Sequence, residues 1–467
     1  MGEVCVNDGG FMITRAEAVI VQPEAKTSTN VQELQLTNLD QYFSPVVRTV
    51  FCYKRRDDDK KSMEGVGRVI REALAKVLVH FYPLAGELTV SSEGKLVVKC
   101  TNRGVPFVEA VADCDLEVLG DITIPDPAVL SRLVYMDPAA ENMLQMPLLT
   151  AQFKVENGSS PGFKPRQRGI VESGMFRKFC DKVTRFKCGG FVMGMALNHC
   201  MADGISAMQF VNAWSEAARG ISPTTLPYLD RSALRSRKPP IISHPHDQLL
   251  ETNCISTQPS QGEVVYKLFE FDQKKLTRLK KTIMQDGTIT SCTTFVALTA
   301  LIWRAKCRAY NTQQQQQAKL LLVVDGRSKL KNPPLPKDYF GNVIVLTCCV
   351  CNAGDLMEKP LSHAAQLVQN TINNVDDEFI RSEIDYLEIT KEKLDYSTTL
   401  LVSSWTRLAF RAMDFGWGEP TQSGCVTLPE KEVAFFFSGA GKAKTGTTVL
   451  IGLPVTAMKS FQEFIHV

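Results

Sequence analysis

The run from Phe191 to Gly220 constrains the fold most, because it carries two periodicities back to back. Phe191, Met193, Met195 and Leu197 alternate with Val192, Gly194, Ala196 and Asn198, which is the period of a strand. Ile205, Met208, Val211 and Trp214 then recur at every third residue, the spacing of a helix that Gly220 stops. A strand feeding directly into a helix points to an α/β architecture. The turn between them reads His199-Cys200-Met201-Ala202-Asp203-Gly204. It sets an imidazole at a strand end, where a rigid scaffold holds functional groups beside a cleft. A histidine there can take a proton near neutral pH, as a general base must. The same spacing also fits a packed, hydrogen-bonded histidine with Asp203 capping the helix, and His-x-x-x-Asp is short enough to recur by chance.

The rest of the chain repeats this layout in two halves. The first contains an amphipathic helix with Val66, Val69, Ile70, Ala73, Val77 and Leu78 on one face, ending before Pro83. Strand patterns follow at Lys95 to Val98 and Leu148 to Val155. The stretch 219–262 is rich in Pro, Ser and His and reads as a crossover linker. The second half shows helices at Thr293 to Arg308 and Pro360 to Val375. Its strands are expected at Leu320 to Val324, Thr398 to Ser403, Glu432 to Phe437 and Thr447 to Ile451. Lys54 to Lys61 and Gln313 to Gln317 read as solvated loops. No short-period repeat occurs, which excludes solenoids and propellers. The expected organisation is an N-terminal domain at 1–218, the linker, and a C-terminal domain at 263–467, two α/β units packed face to face.

A second motif, Asp414-Phe415-Gly416-Trp417-Gly418, stands far downstream of the first. Between and around them lie Leu36-Thr37-Asn38-Leu39-Asp40-Gln41, Tyr82-Pro83-Leu84-Ala85-Gly86, Val324-Asp325-Gly326-Arg327-Ser328 and Tyr339-Phe340-Gly341-Asn342. In this order the set resembles the plant BAHD acyl-CoA-dependent acyltransferases over nearly the whole chain. The segments Glu383 to Glu388, Ser403 to Leu408 and Gly452-Leu453-Pro454 look most like the clade that moves hydroxycinnamoyl groups onto long-chain ω-hydroxy acids and fatty alcohols.

The resemblance implies two similar-sized chloramphenicol-acetyltransferase-like domains with mixed sheets, flanking helices and an active-site channel between them. It implies His199 as general base, with Ser403 and Trp405 beside the oxyanion. Asp203 is expected to pair with Arg327 and support the turn, and Gly204 to leave room for the acyl donor. Asp414 belongs to the second motif but looks like part of a tight structural turn. Acyl-CoA is the implied co-substrate, with no permanently bound cofactor and no metal. Ser291, Thr293 and Thr294, at the start of a second-half helix, are the implied CoA contacts together with the Tyr339 to Asn342 loop. Helix N-terminal amides there could bind phosphate. Relatives acting on shikimate or quinate carry an Arg for the acceptor carboxylate after Tyr-Leu-Glu. Here Ile389 to Val402 contains none, so a lipophilic alcohol is the expected acceptor. No Ser or Cys nucleophile with an adjacent base is evident, which favours direct transfer in a ternary complex.

One segment departs from the family. Phe153 to Lys182 is rich in Gly, Pro and Arg, and joining Gln152 to Val183 would restore a family-like sequence. Phe153 to Val155 could take the ladder places of Val183 to Arg185 while the rest loops out. The insertion reads either as a basic arm for a phosphorylated ligand or as an extra segment from alternative processing or gene modelling. Bulk properties narrow the partners. A formal charge of +3 is too small to argue for nucleic acid. No apolar run is long enough to span a bilayer, and the N-terminus lacks a signal-peptide pattern and the hydroxyl residue of a myristoylation site. The 14 cysteines show no framework spacing, so reduced thiols in the cytoplasm are expected; a monomer is expected as well. Cys348-Cys349-Val350-Cys351 holds a Cys-x-x-Cys without a second ligand pair and reads as a buried strand. Two other readings stand beside the lipophilic-acceptor enzyme: an accessory protein of the same fold in fatty-acyl elongation, and a family transferase using another alcohol or amine acceptor. A similar motif also occurs in peptide-synthesis condensation domains, which usually carry a second His where this chain has Asn198.

Overall fold

The computed structural model describes residues 4–5, 11–25, 31–42, 46–54, 65–112, 114–156, 190–246, 263–390, 399–410, 412–428, 432–439 and 445–466. Among these, two large mixed sheets carry the fold. The first has 8 strands. Its centre runs Val105–Ala112, Leu149–Glu156, Phe191–Asn198, Val46–Tyr53 and Gln422–Cys425 in spatial order. The second has 6, running Val264–Asp272, Gly446–Pro454, Val433–Ser438, Leu400–Ser404, Gln317–Asp325 and Ile344–Asn352. Val105–Ala112 and Leu149–Glu156 pair in parallel, and so does Leu400–Ser404 with both its neighbours; the other neighbouring pairs named here are antiparallel. Helices pack against each sheet, as expected for this α/β class.

The His-bearing strand Phe191–Asn198 lies between two antiparallel partners and is buried along its whole length. Its alternation separates two cores. Phe191, Met193, Met195 and Leu197 join the cluster under the helices Val66–Val77 and Gly204–Ala218. Val192 and Ala196 join a smaller cluster with Leu116, Ile122, Leu130 and Leu133. Gly194 is required by close packing, since an added Cβ would stand 1.9 Å from the Leu133 carbonyl oxygen. The two helices are tied by Trp214, whose indole N–H donates to the Ile70 carbonyl at 2.8 Å.

Two features cross the expected boundaries. The strand Gln422–Cys425 leaves the second half and pairs with Val46–Tyr53 of the first sheet. The described part of the crossover, 219–246, is anchored on the fold: Tyr228 bridges Tyr339, and Leu234 and Arg231 are buried. Phe153, Lys154 and Val155 do occupy ladder places, opposite Met193, Val192 and Phe191. Beyond Glu156 the insertion, like most of the Lys54 to Lys61 run, lies outside the described residues. Cys348 and Cys351 lie on one strand but join different clusters, Cys351 packing with the helix-covered core and Cys348 beside Leu321 and Leu346. Among the described residues no group of three or more His, Cys, Asp or Glu could hold a metal, and no helix is long and apolar enough to cross a membrane.

Candidate active site

At the end of its strand the chain turns through His199 to Ala202 and re-enters helix at Gly204. Asp203 caps that helix, its Oδ1 accepting the Ser206 backbone N–H at 3.0 Å. The carboxylate also receives both arms of the Arg327 guanidinium, at 2.8 and 2.9 Å, and the Val343 N–H at 3.0 Å. Arg327 continues to the Ser206 hydroxyl, the Gly341 carbonyl and Asp325. Asp203 is 1% exposed, and this fork is its ionic partner. Arg327 thus meets Asp203 as expected, and the contact locks the turn to the second half.

His199 itself keeps intermediate exposure. Burial pushes its pKa below the ordinary 6.5, against the opposing pull of Asp203, the Asn342 side chain and Asp40. Desolvation disfavours the imidazolium, so the neutral, proton-accepting form prevails at neutral pH. The Asn342 side-chain amide donates to the His199 carbonyl at 2.8 Å. In the sequence Asp40 was visible only as a motif member, and Asn342 only as part of the loop implied to contact CoA.

Gly204 faces Leu408, whose Cδ1 a Cβ there would meet at 2.8 Å. Leu408 also lines a cavity of about 420 Å³ between the halves, with Trp405, Phe410, Leu428, Phe437 and Leu450. Thr123 and Pro125 close it from the first half. Trp405 stacks on Phe410 at 5.6 Å and tilts against Phe435 at 5.0 Å. Ser403 lies on the adjoining strand opposite Phe435 in register, half-buried. Neither Ser403 nor His199 lines this cavity, so Leu408 is the link between the cavity and the His-bearing turn.

The second motif is built differently. Asp414 Oδ1 accepts the N–H groups of Gly416 and Gly418 at 2.7 and 2.8 Å, closing a turn in which both glycines take positive φ, 102° and 88°. Phe415 and Trp417 plug the first-half core, edge-on to Trp214 and Phe191 respectively. The Tyr53 hydroxyl donates to the Met413 carbonyl beside them. Ser291, Thr293 and Thr294 stand apart at the start of the helix Thr294–Ala309. There the Thr293 hydroxyl is occupied as the N-cap, accepting the Val296 N–H at 3.2 Å, while Ser291 is exposed.

The family model described as the Transferase family matches residues 11–159 and 165–466. The chain is 44% identical over 457 residues to the Arabidopsis thaliana omega-hydroxypalmitate O-feruloyl transferase, covering 97% of this chain and 92% of that protein. It is 42% identical to the fatty alcohol:caffeoyl-CoA acyltransferase of the same plant, over 98% and 99% of the two chains. Among solved structures, vinorine synthase superposes with a TM-score of 0.71 at 21% identity, over 97% and 98% of the two chains. F. sporotrichioides TRI101 complexed with coenzyme A and T-2 superposes at 0.67 and 15% identity, over 92% and 97%. The chain belongs to this transferase family, the BAHD acyl-CoA-dependent O-acyltransferases.

Proposed function

We propose that the protein transfers a hydroxycinnamoyl group from its CoA thioester to the hydroxyl of a long-chain ω-hydroxy acid or fatty alcohol. The observation that carries the chemistry is the neutral, partly accessible His199 on a turn fastened to both halves. Its imidazole takes the acceptor hydroxyl proton, and the oxygen attacks the thioester carbonyl. The tetrahedral oxyanion is stabilised by the Ser403 hydroxyl and the Trp405 indole N–H, a donor being worth about 2.7–4 kcal/mol in such a transition state. Collapse breaks the carbon–sulfur bond, and the imidazolium returns its proton to the departing CoA thiolate. The resulting thiol and ester leave the histidine neutral again. Acyl-CoA is thus a co-substrate, taken up along the Ser291 to Thr294 and Tyr339 to Asn342 regions, and the protein works as a cytoplasmic monomer.

Three observations support the lipophilic acceptor. The two relatives with the highest identities quoted above are named for ω-hydroxypalmitate and fatty alcohol. Ile389 to Val402 offers no Arg for an acid polyol. The cavity beside Trp405 has aromatic and aliphatic side chains on much of its wall, with Arg407 and Glu419 also on the lining. The test is a panel of short to long straight-chain alcohols beside shikimate, quinate and spermidine, all with feruloyl-CoA. Each buried methylene contributes about 0.8 kcal/mol, so kcat/KM should rise roughly fourfold per carbon and then level off. A flat profile, or preference for shikimate or the polyamine, contradicts the acceptor assignment.

A further inference from the structure

A second buried ion pair flanks the His-bearing turn. Asp40 is 0% and Arg231 2% exposed, and Arg231 Nη1 lies 2.7 Å from Asp40 Oδ2. The same carboxylate oxygen accepts the Thr37 backbone N–H and hydroxyl, at 2.8 and 2.7 Å. Its other oxygen accepts the backbone and side-chain N–H groups of Asn342, both at 3.0 Å. The cluster then reaches the turn itself. Arg231 donates to the carbonyls of Cys200 at 3.3 Å and Met201 at 2.7 Å, and Asn342 donates to that of His199 at 2.8 Å. Three consecutive carbonyls are therefore held by one cluster, drawn from the first sixth of the chain, the crossover and the second half. A strand end has no ladder partner to offer these groups, and a buried carbonyl must be satisfied somewhere.

We propose that Arg231, acting with Asp40 and Asn342, is a positioning residue for the acyl transfer: the crossover segment clamps the peptide units that carry His199 and so fixes the aim of its imidazole. The proposal rests on the reading of His199 as general base. The clamp acts on the base's own backbone, where a displacement of about 1 Å can cost on the order of 10²-fold in rate. Arg231 suits the task because its two terminal nitrogens, held in one plane, reach two carbonyls and a carboxylate from separate points, whereas an ammonium donates from a single atom.

The test compares wild type with Arg231→Lys, Arg231→Met, Asp40→Asn and His199→Ala, using feruloyl-CoA and a long-chain alcohol. Arg231→Lys should lower kcat roughly 10- to 100-fold while KM for feruloyl-CoA changes little, the split expected when aim and not binding is lost. The pH profile adds a second readout. The charges around His199 are Asp203 with Arg327 and Asp40 with Arg231. Removing the cation in Arg231→Met leaves Asp40 uncompensated and should move the acidic limb to higher pH, whereas Asp40→Asn should move it lower. The readout that a purely structural role would not move is the kcat loss at constant KM in the charge-conserving Arg231→Lys, while the pH limb reports the charges around His199. If Arg231→Met fails to fold, the double variant Asp40→Asn/Arg231→Met buries no lone charge and should still show the low kcat. Wild-type kcat in Arg231→Lys and in the double variant, whatever their melting temperatures, would overturn the proposal. Wild-type turnover in His199→Ala would instead overturn the base assignment beneath it.

Discussion

The turn at His199–Gly204 and the turn at Asp414–Gly418 each combine an aspartate with glycine, and each is a recognisable motif of the family. Their carboxylates reach in opposite directions. Asp203 accepts from Arg327, 124 positions away, and from Val343, so its bonds join the halves. Asp414 accepts from Gly416 and Gly418 inside its own turn, and the aromatic residues between them fill the first core. The comparison teaches that two motifs equally visible in sequence can differ in reach: one carboxylate ties the halves together, the other closes its own turn.

The largest stability effects should break the two turns in different ways. Phe415→Ala removes a fully buried ring and should cost about 3–5 kcal/mol in a chemical melt, with little change in kcat of the folded enzyme. Asp203→Asn and Arg327→Ala each strand one partner of a buried pair and should cost a similar ~3–5 kcal/mol. Their double variant should cost less than the sum, because the two residues touch; full additivity in the same melts would place them apart.

Glu383 sharpens the contrast from the other side. It is 3% exposed, one oxygen accepts the Leu346 N–H at 3.3 Å, and the other has no partner among the described residues. Burial pushes it up to about 8 from the ordinary 4.5. Its folded pKa lies above the unfolded one, so the protonated acid stabilises the fold below pH 4.5 and that contribution is lost as pH rises toward 8. Glu383→Gln should raise stability at neutral pH by up to about 3 kcal/mol and flatten the decline. A loss of stability at pH 7 would show that the carboxylate has a compensating partner. Asp414→Ala should cost less, roughly 1–2 kcal/mol, since two hydrogen bonds in a half-buried turn are lost. The smallest effect belongs to His199: its lowered folded pKa makes stability fall as pH drops below 6.5, and His199→Ala should remove that part of the acid sensitivity.

Much of the scaffold was legible because periodicity reports burial. The Phe191–Asn198 strand and the Thr294–Ala309 helix stand where their patterns put them. Alternation of two apolar sets hid the fact that the strand serves two cores, since pattern does not say what covers each face. The helix Gln273–Met284 was missed: it buries only Leu276, Leu279 and Ile283 among many basic side chains. The Gln422–Cys425 strand is too short and polar to signal that it joins the first sheet. The Asp203–Arg327 pair was readable through the family motif, and the structure adds its geometry. The Asp40–Arg231 pair left no trace, because nothing local marks two charges that meet only after the crossover folds back. Gly204 was readable as a small residue at a crowded turn, but not that Leu408 does the crowding.

The most direct test of the contrast is a side-by-side measurement of His199→Ala and Asp414→Ala, with kcat for feruloyl transfer to a long-chain alcohol and a melting curve for each. His199→Ala should lose about 10²–10⁴-fold in kcat and keep the wild-type melting temperature. Asp414→Ala should melt earlier and keep a kcat near wild type once corrected for the folded fraction. Wild-type turnover in the histidine variant, or abolished turnover in a fully folded Asp414→Ala, would contradict the assignment of chemistry to the first turn and support to the second.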